Sequence, residues 1–183
     1  MGRQRDILPQ VLSFVREHVG DCPVYLSGSV SLGHERPDSD IDVMILVSDV
    51  HPPSFPDERV VWREDRFKLV AARFGGIPVH LHFITPALLR DLEANPWRGY
   101  KFLKTERLYD PEGIIQRTKD KVAPWFDAHP DAVAFWEAWI EQHKKRQLSG
   151  GEEIGPLVER FPSQAPDLWD HLERAILDAK VRG

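Results

Sequence analysis

Residues 26–43 read LSGSVSLGHERPDSDIDV, and the parsing of this stretch decides the fold. Just upstream, Val24, Tyr25 and Leu26 make a short apolar strand that runs into Ser27-Gly28-Ser29. A glycine directly after a strand lets the backbone approach a phosphate closely, and Ser29 adds a hydroxyl donor beside it. Residues 29–32 can open a short helix, whose first amides offer a positive dipole end to an anion. Residues 33–39 are a polar turn, and residues 41–47 are a second apolar strand with Asp42 as its one charge. Alternate strand residues share a face, so Asp40 and Asp42 are expected to point together. Two carboxylates about 4 Å apart repel by roughly 4 kcal/mol at an effective dielectric near 20, a cost that a divalent cation between them removes. Carboxylate and phosphate oxygens together are the set that Mg²⁺ prefers. Singly, the Gly-Ser turn is ordinary loop chemistry and Asp-x-Asp a solvated turn. In this order, between two apolar strands, they describe a site for a phosphate and a metal.

Working outward, Ile7, Leu8, Val11, Leu12, Val15 and Val19 recur at helical spacing, and Gly20 closes that helix. Three prolines make residues 51–56 a surface loop. Residues 59–64 and 67–74 read as strands joined tightly at 65–66, and Gly75-Gly76 is a turn. Residues 79–83, VHLHF, alternate as a half-buried strand does. Thr85 with Pro86 starts a helix that ends near Asn95-Pro96. Residues 97–104 read as helical and 107–109 as a short strand. Beyond about residue 114 the pattern is helical, with Val133, Trp136, Trp139, Ile140 and His143 along one face. A further helix is expected to group Leu168, Trp169, Leu172, Ala175, Ile176 and Ala179. The expected division is a mixed α/β domain over 1–125 and a helical region over 126–183.

The segment Leu26-Ser27-Gly28-Ser29-Val30-Ser31-Leu32-Gly33, followed by Ser39-Asp40-Ile41-Asp42-Val43, resembles the signature of the DNA-polymerase-β-like nucleotidyltransferase superfamily. Within it, the small bacterial enzymes that modify antibiotics or protein partners are most similar. Residues 104–113, KTERLYDPEG, are similar to the last strand and turn of such domains, and the likeness spans roughly residues 5–120. The resemblance implies an α/β (α+β) nucleotidyltransferase fold, a mixed β-sheet flanked by helices, with a small C-terminal helical region. It implies an NTP–Mg²⁺ substrate and transfer of a nucleotidyl group to a hydroxyl, on a small molecule or a partner protein, with release of pyrophosphate. By position, Gly28 and Ser29 would hold the phosphates, and Asp40 and Asp42 the metals.

The family usually adds a third carboxylate from a later strand, and here His80 stands in that place, with His82 facing the same way. Imidazole is a poor ligand for Mg²⁺ and a good one for Mn²⁺ or Zn²⁺, and it is also a competent general base. His80 is therefore the third catalytic candidate, with Mn²⁺ as the alternative cation. Three other readings stay open. The site has weakened into a module that binds nucleotide or a partner in a regulatory role, or Glu64 supplies the carboxylate, or both histidines line a polar strand face. A His/Asp phosphohydrolase built on Asp40, Asp42, His80 and His82 would leave the Gly-Ser turn without a purpose.

Elsewhere the residues carry less. Lys101 and Lys104 lie near the last strand and could reach a triphosphate, although a lysine pair on a helix reads first as a solvated face; His34, Glu35 and Arg36 are loop residues that could border a nucleotide. Trp125, Trp136, Trp139 and Trp169 read as core anchors, and residues 143–146, HKKR, as cations at a helix end. A net charge of −5 over 183 residues argues against a generic nucleic-acid-binding surface. One cysteine, Cys22, excludes an internal disulfide and reads as structural. No apolar run approaches the roughly 20 residues that span a bilayer, and MGRQRDILPQ lacks the apolar core of a signal peptide. These features point to a cytoplasmic protein, where NTP and magnesium are at hand, with no membrane partner.

Overall fold

The alternation at residues 79–83 and the apolar run at 41–47 both correspond to central strands of one sheet. The computed structural model describes residues 3–33, 35–37, 39–49, 59–64 and 67–149, and their side chains except at 3, 59–67 and 142–149. The expected loop at 51–56, the connection at 65–66, His34 and the expected helix at 168–179 with Trp169 lie outside the described residues, as do the side chains of residues 143–146. The strands are β1 Val24–Ser27, β2 Ile41–Leu46, β3 Arg59–Glu64, β4 Phe67–Phe74, β5 Ile77–Ile84 and β6 Glu106–Tyr109. They lie in the order β3-β4-β5-β2-β1-β6. β2 and β5 run parallel, and the other neighbours run antiparallel. The sheet is thus mixed and, with its flanking helices, of the α+β class the sequence implied.

Topology gathers the site. A parallel pair needs a long crossover, and the chain between β2 and β5 supplies it while adding β3 and β4 at the outer edge. Gly75 and Gly76, both at positive φ (55° and 81°), turn β4 into β5 as a two-residue hairpin requires. The parallel register then sets Asp42 opposite His80, and the antiparallel register of β1 sets Ser27 opposite Asp42. The end of β1 and the starts of β2 and β5 therefore meet at one place.

One face of the sheet is apolar. Ile41, Val43 and Ile45 of β2 join Val79, Leu81 and Phe83 of β5 in a single cluster with Leu8, Val11 and Val15. Those last three form one stripe of helix α2, Leu8–His18, as the spacing predicts. The opposite parity buries Tyr25, Met44 and Ile84 on the other face and leaves His80 and His82 half-buried there. Helices α4 Pro86–Ala94, α5 Tyr100–Leu103 and α6 Ile114–Asp127 belong to that side, with a 3₁₀ turn at Pro96–Gly99. Thr118 donates to Glu93 at 3.0 Å and Lys121 to the same carboxylate at 2.8 Å, which ties α6 to α4. The Lys119 ammonium stands 5.4 Å from the Tyr25 ring centroid, so α6 crosses that face. Thr85 occupies the cap position of α4 with extended backbone, but no side-chain cap hydrogen bond forms there.

Buried Asp110 is a second organiser. It accepts the Tyr25 hydroxyl at 3.1 Å and the amides of Ile114, Ile115 and Gln116 at 2.9, 3.1 and 3.3 Å. The start of α6 is thereby satisfied by a carboxylate that also holds the central strand β1. Cys22 is half-buried, and burial pushes its thiol up to about 11, which leaves it unreactive.

Contacts divide the chain after Asp127. In the second unit, helix α7 spans Pro130–Ser149; Phe135, Trp136 and Ile140 are buried, and Trp136 meets Trp139 edge-on at 5.9 Å. Among the described residues, no helix is long and apolar enough to cross a membrane.

Candidate active site

Gly28 begins helix α3, Gly28–Ser31, with φ +66, a conformation that side-chain-bearing residues avoid. The stronger reason for glycine is space: a Cβ at Gly28 would stand 2.0 Å from Asp42 Oδ2. The turn and the second aspartate are thus in contact, and only a hydrogen fits between them. Ser27 donates its hydroxyl to the Asp42 carbonyl at 3.2 Å, and Ser31 to the Gly28 carbonyl at 3.0 Å, fixing both sides of the contact. Ser29 follows within α3 and is half-buried.

Asp40 reaches the same place by a route that alternation did not foresee. It precedes β2 rather than lying in it, and a tight turn positions it. Ser39 donates its amide to the Arg36 carbonyl at 3.0 Å, and its hydroxyl accepts the Arg36 amide at 2.8 Å. Buried Gln4 donates to the same carbonyl at 2.6 Å, so helix α1, Arg3–Asp6, anchors the turn. Arg5 beside it reaches Glu106 through two hydrogen bonds, at 3.0 and 2.9 Å. His80 then joins the aspartates: its Nδ1 is 2.9 Å from Asp40 Oδ2 and 3.6 Å from Asp42 Oδ1. His82 Nε2 stands 2.8 Å from the same Asp42 oxygen.

The electrostatics follow from these distances. Asp40 first, then Asp42, raise the His80 imidazole to about 10 against the opposing effect of burial, so His80 is a cation at neutral pH. Burial alone would raise the Asp42 carboxyl, but His80 and His82 more than offset it and hold it well below the usual carboxylate range. Lys101 of α5 is solvent-exposed, yet desolvation lowers its ammonium and the field of Asp42 works against that shift. Its ammonium therefore lies within the field of Asp42, where the sequence favoured a solvated helix face. Glu64 pairs with Phe67, and Phe67 with Ile84, at the far end of β5 from His80. That register puts the Glu64 backbone on the order of 15 Å away, and its side chain is outside the described ones.

The structure therefore brings together Gly28, Asp40, Asp42 and His80, with Ser29 one residue beyond the turn, and adds His82 and Lys101. His82 was findable from its two-residue spacing to His80, and Lys101 from its place near the last strand, within reach of a triphosphate. Two carboxylates and two imidazoles are donors that a divalent cation accepts, and Asp42, His80 and His82 each offer a ligand atom within 4.8 Å of the others.

A mixed sheet with flanking helices and a glycine turn pressed against a strand-borne aspartate defines an α+β domain. The chain belongs to the nucleotidyltransferase domain family, whose model matches residues 8–110. No curated protein matches it.

Proposed function

We propose that this chain transfers a nucleotidyl group from an NTP to a hydroxyl of a small molecule or a partner protein, releasing pyrophosphate. The observation that carries the reading is the contact between Gly28 and Asp42, where a Cβ would stand 2.0 Å from the carboxylate. A close approach of this kind puts phosphate-binding amides beside a metal-binding carboxylate. Asp40 and Asp42 would hold divalent cations, whose charge would offset that of the triphosphate and favour ionisation of the acceptor hydroxyl. Gly28 and Ser29 take the phosphates, and Lys101, within the field of Asp42, adds positive charge. His80 completes the set: in the metal-free chain it is protonated, donates to Asp40 and approaches Asp42, fixing the pair. It serves as a base or a ligand only after losing that proton.

The test is transfer of label from an α-labelled NTP onto candidate acceptors, compared with Asp42→Asn. We expect the variant to fold and to lose transfer; full activity would overturn the assignment. A second reading draws on the pairing of His80 with both aspartates, which compensates their charge without a cation. In that reading the domain binds nucleotide or a partner in a regulatory role. His80→Asp separates the two: lost transfer marks His80 as a working residue, and gained Mg²⁺-dependent transfer marks a lapsed enzyme.

A further inference from the structure

The identity of the cation follows from ligand chemistry. Asp42 Oδ1 is 2.8 Å from His82 Nε2 and 3.6 Å from His80 Nδ1, and the three ligand atoms lie within 4.8 Å of one another. Atoms that bind one dication at about 2.0–2.2 Å are themselves roughly 3–4 Å apart, so these three already span a single ion's surroundings. Their backbone support is firm. The β2–β5 register sets Asp42 beside His80, His82 lies two residues on along the same face, and both strands are flanked in the sheet by β1 and β4. Mg²⁺ selects hard oxygen ligands and gives up its water reluctantly, whereas imidazole favours the later first-row metals. A carboxylate with two imidazoles is the wrong set for Mg²⁺ and a good one for Zn²⁺ or Co²⁺.

We propose that Asp42, His80 and His82 form a binding site for a first-row transition-metal dication, taken in preference to Mg²⁺, with His82 as a ligand in its own right. The inference rests on the reading of Asp42 as a metal ligand given above. It names the chemical class of one cation in that site and adds a residue that the two-aspartate arrangement does not use.

The experiment measures metal alone, without nucleotide, on the full chain stripped by a chelator. Co²⁺ is titrated and followed by its visible absorption, then displaced by Zn²⁺ or Mg²⁺. One Co²⁺ per chain is expected, displaced by equimolar Zn²⁺ but not by Mg²⁺ at about 100-fold excess. His82→Gln should weaken Zn²⁺ binding by about 10-fold or more, with an unchanged far-ultraviolet circular dichroism spectrum. His82→Asn serves if His82→Gln fails to fold. Displacement of Co²⁺ by comparable Mg²⁺, or Zn²⁺ binding indifferent to His82 replacement, would overturn the site. Label transfer is scored separately. Tight His82-dependent Zn²⁺ binding without transfer supports this site and counts against the proposed reaction. Transfer with Mg²⁺ and no Co²⁺ spectrum does the reverse.

Discussion

Replacing Gly28 by alanine perturbs the candidate site through one atom, and the structure supplies its own control. Gly28 and Gly33 have nearly the same backbone, φ +66 and +69. A Cβ at Gly33 meets nothing within 4 Å, whereas at Gly28 it lies 2.0 Å from Asp42 Oδ2 and 2.9 Å from Cγ. Both substitutions place a side chain in the left-handed region, at a cost of about 1–2 kcal/mol. Gly28→Ala must in addition drive the carboxylate or the turn back by roughly 1 Å, since carbon and oxygen do not pack closer than about 3 Å. That movement breaks or skews the 2.8 Å contact between Asp42 and His82, and a hydrogen bond to a charged group contributes about 1.5–3 kcal/mol. We therefore expect Gly28→Ala to lose about 2–5 kcal/mol in all, against 1–2 for Gly33→Ala, with a melting point lower by about 2–4 °C per kcal/mol. An ångström of misplacement at a reacting centre costs on the order of 100-fold in rate. Label transfer should fall by that factor in Gly28→Ala and stay near wild type in Gly33→Ala. The assay is paired thermal melts and transfer rates, with the melts repeated in an Asp42→Ala background, where the excess penalty of Gly28→Ala should vanish. Equal melting points and equal rates for the two glycine variants would contradict a steric contact between residue 28 and Asp42.

Other outcomes follow from single contacts. His80 has its folded pKa raised to about 10, so its pairing stabilises the metal-free chain fully below its unfolded value near 6.5 and fades as pH rises through 10. Asp42, depressed, contributes above the ordinary carboxylate range and fades as pH falls through it. Thermal melts of the stripped protein should accordingly decline between pH 7 and pH 10, and His80→Gln should flatten that decline; an unchanged slope would contradict the pairing. Tyr25→Phe removes one of four donors to Asp110 and should cost about 1 kcal/mol in urea unfolding. Asp110→Ala uncaps α6 and strands the Tyr25 hydroxyl as well, so a loss of about 2–4 kcal/mol is expected. Lys101→Ala should raise the KM for NTP more than it lowers kcat, because its charge lies within the field of Asp42 at an exposed position.

The central strands were legible because their signals are local. Alternation at Val79, Leu81 and Phe83 and the apolar run around Asp42 depend on residues one or two apart. The turn at Gly28 was legible because glycine and serine end one apolar strand a short spacer ahead of Asp-x-Asp at the next. What escaped was set by tertiary geometry. Asp40 lies outside β2 and is aimed by Ser39, Arg36 and Gln4, the last 32 residues from its partner. The departure of Glu64 from the site is a matter of register, which no single segment encodes. Residues 97–104 read as one helix and instead split into a 3₁₀ turn and α5, where a Cβ at Gly99 would stand 2.7 Å from Val122 Cγ1. Asp110 read as part of a turn; its grip on Tyr25 spans 85 residues.

That grip bears on where the domain can be cut. The family match stops at Asp110, but three of the four donors that Asp110 needs come from residues 114–116. A chain trimmed to the matched segment would keep a buried carboxylate and lose the amides that stabilise it, directly behind the strand that delivers Gly28. For expression, grafting or the building of chimaeras, the smallest unit that respects this carboxylate carries α6 with it. A replacement partner helix would have to present its first free amides at the same point.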